Sequence, residues 1–163
     1  MQYTITVSGM AEISETLTKM ADRAPAVAAQ ALYDGAGIMA DEIKRGASTI
    51  RTEPFRYAKT GTRLPSPEEK AIVEQASAGI ARFHKDGTEV DTSVGYRNAG
   101  YAMLGKKVKP IPQIVNAINS GTSFMNKQPF VRKAAKKGGT KAMNAMKAKI
   151  EEAFDEITGG KTE

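Results

Sequence analysis

The residues with the most chemical potential lie between 120 and 139, in SGTSFMNKQPFVRKAAKKGG. A glycine beside hydroxyl side chains, with lysines following, raises the chemistry of phosphate binding. That chemistry needs two glycines bracketing four residues, then Lys and Ser or Thr, between a strand and a helix. Here Gly121 runs into Thr122 and the residues before it are helical in pattern, so no phosphate loop forms. The Gly35-Ala36-Gly37 triplet falls within a helical pattern with no strand ahead of it, which excludes a dinucleotide fingerprint. Glu68 and Glu69 are adjacent at a helix start, unlike a carboxylate pair that flanks a substrate. Asp41-Glu42 reads as the solvent side of a helix. His84 is the single histidine, and its place opposite Glu89 in a hairpin gives it a structural role. One His and no Cys exclude thiolate metal sites, His-based metal sites and His-relay hydrolysis. No nucleophile, base and orienting group come together, so the expectation is a non-enzymatic protein with no cofactor and no metal.

What 120–139 does offer is contact. Phe124 and Met125 stand among polar residues on a short connector, and aromatic and Met side chains are enriched at interfaces. The candidate partner or oligomer interface is therefore Gly121, Thr122, Ser123, Phe124, Met125, Pro129 and Phe130. Phe130 has a second reading, because it begins a helix and can tuck beneath it. Beyond it runs a basic face: Lys127, Arg132, Lys133, Lys136, Lys137 and Lys141.

The net charge is +6, but its distribution says more. Of the 24 Lys and Arg, twelve lie between Thr92 and Ile150, where there is no Asp or Glu. The other twelve stand against all 18 acids, so one segment carries +12 and the remainder −6. Such asymmetry points to an acidic partner, either nucleic acid or the acidic face of another subunit, with a solvated basic face as the alternative. The last helix places its bases first and Glu151, Glu152, Asp155 and Glu156 last. That order opposes the helix dipole and asks for a compensating partner. No sequence-reading DNA motif and no aromatic stacking set accompanies the lysines.

The elements that position these residues follow from periodicity. Tyr3, Ile5 and Val7 alternate and predict a short strand. Ile13, Leu17 and Met20 predict a first helix over 11–23, and Pro25 opens a second that runs to about Arg45. Gly35 and Gly37 inside it mark either close contacts or tolerated positions. Residues 46–65 lack a sustained period and read as a long loop. Ser66, Pro67 and Glu69 form a capping box that starts a helix ending near Gly79. Asp86-Gly87 predicts a two-residue turn in a 79–96 hairpin that pairs Phe83 with Val90 and Arg82 with Asp91. Residues 100–104 form a third strand beside it. Ile111, Ile114, Val115 and Ile118 predict a helix ended by a left-handed Gly121. Pro129 opens the last helix at its first position, with a break or bend at 136–139. Met146, Ile150, Phe154 and Ile157 continue its stripe, and 159–163 form a disordered tail.

The chain has 163 residues, 40% of them hydrophobic and 26% charged, which suits one α+β domain over 1–158. Eight Met and no Trp suggest adaptable, helix-rich packing. The N-terminus lacks the pattern of a signal peptide, and no apolar run is long enough to span a bilayer. A soluble protein with no membrane contact is expected.

The order SGMAEISETLTKMADRAPAVAAQAL, TGTRLP, KDGTEVDTSVGY, IVNAINSGTSFMNKQPFVRKA and a final helix resembles the small minor tail (tail-completion or neck) proteins of tailed phages and prophages. The likeness spans residues 2–157 and is strongest over Gly121–Ala134. The lengthy region STIRTEPFRYAKTGTRLPSPEEKAIVEQASAG departs from it. The resemblance implies an α+β fold with helices against an antiparallel sheet. It implies a structural virion component at the head–tail junction, reached from the host cytoplasm during assembly. Its implied partners are other tail and neck proteins and copies of itself in a hexameric ring around the DNA channel. The basic face would then meet DNA or a neighbouring subunit.

Overall fold

A computed structural model describes residues 10–54, 61–76, 78–86 and 89–159. Within them the fold is α+β, with four helices and two small antiparallel sheets of two strands each. In chain order these are α1 (Met10–Ser48), α2 (Pro67–Gln75), β1 (Gly79–Asp86), β2 (Glu89–Gly95), β3 (Tyr101–Leu104), β4 (Lys107–Pro110), α3 (Ile111–Ser120) and α4 (Phe130–Thr158). The expected strand at 3–7 and the tail at 160–163 lie outside the described residues, as does 55–60 of the expected loop.

Two helices expected over 11–45 are one. Pro25 sits inside α1, although a proline there removes one helical hydrogen bond and frees the carbonyl four residues back. That carbonyl belongs to Ala21, an exposed residue whose backbone water can reach. Packing bridges the proline: Met20, Ala24 and Val27 line the same apolar cleft as Ile150, Phe154 and Ile157 of α4.

α1 and α4 run antiparallel along this contact. Gly46 lies against Phe130 and Ala134, Glu42 and Met39 against Gly138, and Gly35 against Met146. A Cβ on Gly138 would stand 3.0 Å from Glu42 Cγ and 3.1 Å from Met39 Sδ. The expected break at 136–139 is therefore absent, because Gly138 is the place where the two backbones approach. Of the two glycines in α1, Gly35 is a close contact and Gly37 faces open space.

The core gathers where the C-terminal end of α1 meets α2, α3 and the start of α4. Ile43, Ala47, Ile50, Val73, Ile114, Ile118 and Phe130 are among its buried members. Tyr96 packs edge-on against Phe130, ring centroids 6.4 Å apart, and burial pushes its hydroxyl up to about 12. The four apolar residues that predicted α3 are all buried. α2 begins with the expected capping box, but it ends at Gln75, short of Gly79. The chain leaves through the buried residues Ala76 and Ala78 straight into β1.

The hairpin register differs from the expected one by two residues. Asp86 pairs with Glu89, Phe83 with Thr92 and His84 with Asp91, which leaves Gly87 and Thr88 between the strands. The two-residue difference holds from Arg82 to Asp86; between Ile80 and Arg82 the register shifts at a bulge, and Ile80 pairs with Val94. β3 does not join this hairpin. It pairs with β4, Met103 opposite Val108 and Leu104 opposite Lys107, in a second sheet. β4 escapes a hydrophobic reading because KVKP holds one aliphatic residue. Its signal is Gly105, whose φ of 60° suits the first central position of a two-residue type II′ turn.

Candidate partner interface

The connector between α3 and α4 is built as a fixed turn. Gly121 ends α3 at φ 79° and ψ 170°, an extended region open to glycine rather than the left-handed cap expected. Its N–H donates to the Ala117 carbonyl at 2.9 Å. The Thr122 N–H then donates to the Met125 carbonyl at 3.0 Å and the Met125 N–H to Thr122 at 3.3 Å, closing a turn with Ser123 and Phe124 at its tip. The Thr122 hydroxyl accepts from the Phe124 N–H at 3.2 Å.

A second strand of chain braces this turn. The Arg63 N–H donates to the Phe124 carbonyl at 2.9 Å, and the Arg63 carbonyl accepts from Asn126 at 2.8 Å. The Arg63 guanidinium forks onto Glu69, with contacts of 2.7 and 2.8 Å. Glu69 also accepts from the Ser66 N–H at 2.7 Å, so one carboxylate caps α2 and holds Arg63. Burial alone would raise the Glu69 carboxyl. The Arg63 guanidinium and the Ser66 hydrogen bonds outweigh it and hold the group below its ordinary 4.5.

The far end of the connector is clamped as firmly. The Gln128 side chain accepts from the Arg51 N–H at 2.8 Å and donates to the Arg51 carbonyl at 2.7 Å, copying a strand pair. Pro129 is the residue before α4 rather than its first, and it supplies no side-chain cap. Asn119 supplies it from α3, accepting from the Val131 N–H at 3.2 Å.

These bonds divide the candidate residues. Phe124 is 75% exposed, held outward at the turn tip beside exposed Thr122 and Ser123. Met125 is 6% exposed and Phe130 is buried, so both belong to the core and neither is a surface anchor. Position in the turn explains the split: Phe124 stands at its tip, whereas Met125 closes it against Thr122 and bridges to Arg63. Phe124 also borders a cleft of about 270 Å³ with Arg63, Leu104, Lys109 and Gln113. Arg63 and Gln128, which fix the turn, carry no motif that would have marked them; their reach across the fold appears only in three dimensions.

The basic face begins with Lys127 on the connector and continues on the solvent side of α4. Lys127, Arg132, Lys133, Lys136 and Lys137 are exposed and make no ion pair among the described residues. Lys141 differs, because its Nζ lies 2.8 Å from Glu42 Oε1. Glu42 is 2% exposed, not on the solvent side as its sequence suggested, and it also meets Arg45 at 3.1 Å. The Lys141 hydrogen bond leads the effects that hold its carboxyl below the ordinary value. The sequence stripe Leu32, Ala36, Met39 and Ile43 marks one buried side of α1; the α4 contact buries a second, where Glu42 lies. One cation of the face thus finds its acidic partner within the chain.

Among the described residues no cluster of His, Asp or Glu is arranged to hold a metal ion, and no helix is long and apolar enough to cross a membrane. No protein-family model, no curated protein and no solved structure matches this chain.

Proposed function

We propose that the chain is a structural assembly protein of a tailed phage or prophage, acting in tail completion or head–tail joining as a ring-forming subunit. The motif order in the sequence suggests the class. The observation that carries it is Phe124: a large apolar side chain kept in solvent by a turn with four backbone hydrogen bonds around it. Preorganised aromatic anchors of this kind lose little entropy on docking and dominate binding energy. The test is joining. Purified protein added to isolated tail tubes or connector rings should bind and appear as a ring at the tube end in electron microscopy. Phe124→Ser should abolish binding while leaving the fold intact. Failure of the wild-type protein to bind either structure contradicts the proposal.

The exposed cations of α4 favour a second reading, a nucleic-acid contact through phosphates. It requires DNA affinity that falls steeply with salt, by about 0.9 in the log–log slope for each neutralised phosphate. Binding that is absent or insensitive to salt rejects it.

A further inference from the structure

Among the described residues two apolar faces remain open, one on the β3–β4 hairpin and one beside the C-terminal half of α4. The first is the outer face of the β3–β4 hairpin. Tyr101, Met103 and Val108 share that face, and Tyr101 is 74% exposed. A lone two-stranded hairpin holds its shape poorly in water, but this one is pinned. The Gly105 N–H donates to Glu68 at 3.1 Å, and the Ile111 N–H donates to the Gly100 carbonyl at 2.9 Å. Lys106 lies in its turn and Lys107 begins β4 opposite Leu104; both are exposed. Leu104 and Lys109 of the same hairpin border the cleft beside Phe124, so this end of the molecule is apolar and basic.

The second face is the cleft between the N-terminal half of α1 and the C-terminal half of α4. Met20, Val27, Ile150, Phe154 and Ile157 line it, and Ile150 is 50% exposed. The same two turns of α4 carry Glu151, Glu152, Asp155 and Glu156 on their outer side. Lys147 and Lys149 pair with the first two, while Asp155 and Glu156 make no ion pair among the described residues. This end is apolar and acidic. Phe130 and Ile150 are separated by twenty residues of continuous helix, so the connector end of α4 stands about 30 Å from this acidic end.

We infer that the occupant of each face is the other face of a second copy of this chain: the basic hairpin of one subunit docks on the acidic helical end of the next. Two different surfaces at opposite ends make a head-to-tail contact, which closes into a ring or propagates as a filament. The opposite charges set direction and register, while the apolar faces supply the attraction. The inference rests on the ring-forming reading above and names the surfaces that would form the ring.

Charge exchange tests it. Lys106→Glu with Lys107→Glu makes one variant, and Asp155→Lys with Glu156→Lys makes the other. Each alone should associate about tenfold more weakly than wild type, or less, in sedimentation at low salt. An equimolar mixture should reassemble, because each reversed hairpin then meets a reversed helical end; the same recovery shows that both variants are folded. A variant that assembles alone as well as wild type overturns the pairing. Loss in both without recovery on mixing also overturns it and assigns the two faces to different partners. Wild-type protein that stays monomeric contradicts the ring-forming reading itself, whereas wild-type rings indifferent to both reversals contradict the pairing alone.

Discussion

Adjacent residues in the connector have opposite fates, and stability measurements should separate them. Met125 belongs to the same buried core as Ile118, while Phe124 stands in solvent. Met125→Ala should therefore cost about 2–5 kcal/mol in denaturant unfolding, and Phe124→Ser should stay within about 0.5 kcal/mol of wild type. The sequence located this pair without dividing it, because no periodicity runs through a nine-residue connector. Glu69 adds a pH dependence at the same scale. Its folded carboxyl titrates below the ordinary 4.5, so its stabilising effect is complete above that value and is lost as pH falls through the folded one. Glu42 is shifted the same way through Lys141. Urea midpoints should hold steady from pH 7 to about 5 and drop below it. Glu69→Gln should lower the midpoint at pH 7 and shrink the acid decline; an unchanged decline would remove Glu69 from the account.

At the scale of elements, the antiparallel contact of α1 and α4 depends on small residues where the backbones meet. Gly138→Val forces a branched side chain against Glu42 and Met39 and should destabilise the fold by about 1–3 kcal/mol. Gly139→Ala points into open space and should stabilise it by about 0.5–1 kcal/mol through helix propensity alone. Thermal unfolding of the two variants reads both signs. This contact also explains which elements were legible. α3 followed its apolar spacing and α2 its capping box, since local chemistry decides both. The union of two predicted helices across Pro25 and the unbroken run through 136–139 were not legible, because tertiary packing overrides local breakers. β3 and β4 form a sheet of their own through a turn set by Gly105, so β3 does not stand beside the other hairpin as expected.

For the whole molecule, the charge asymmetry visible in the sequence resolves into geometry. Part of the excess is answered internally, where Lys141 meets buried Glu42 and Lys147 and Lys149 meet Glu151 and Glu152, while other cations lie exposed on α4 and at the β3–β4 turn. The acids of α4 collect at its other end, beside an open apolar cleft. An elongated subunit with unlike ends suits repetition around an axis better than a single symmetric contact. The central claim is that the chain assembles with itself, and native mass spectrometry of the intact protein over a range of concentrations tests it most directly. The account predicts a rising population at one fixed multiple of the subunit mass, as a closed ring requires. A single monomer peak at every concentration would contradict it.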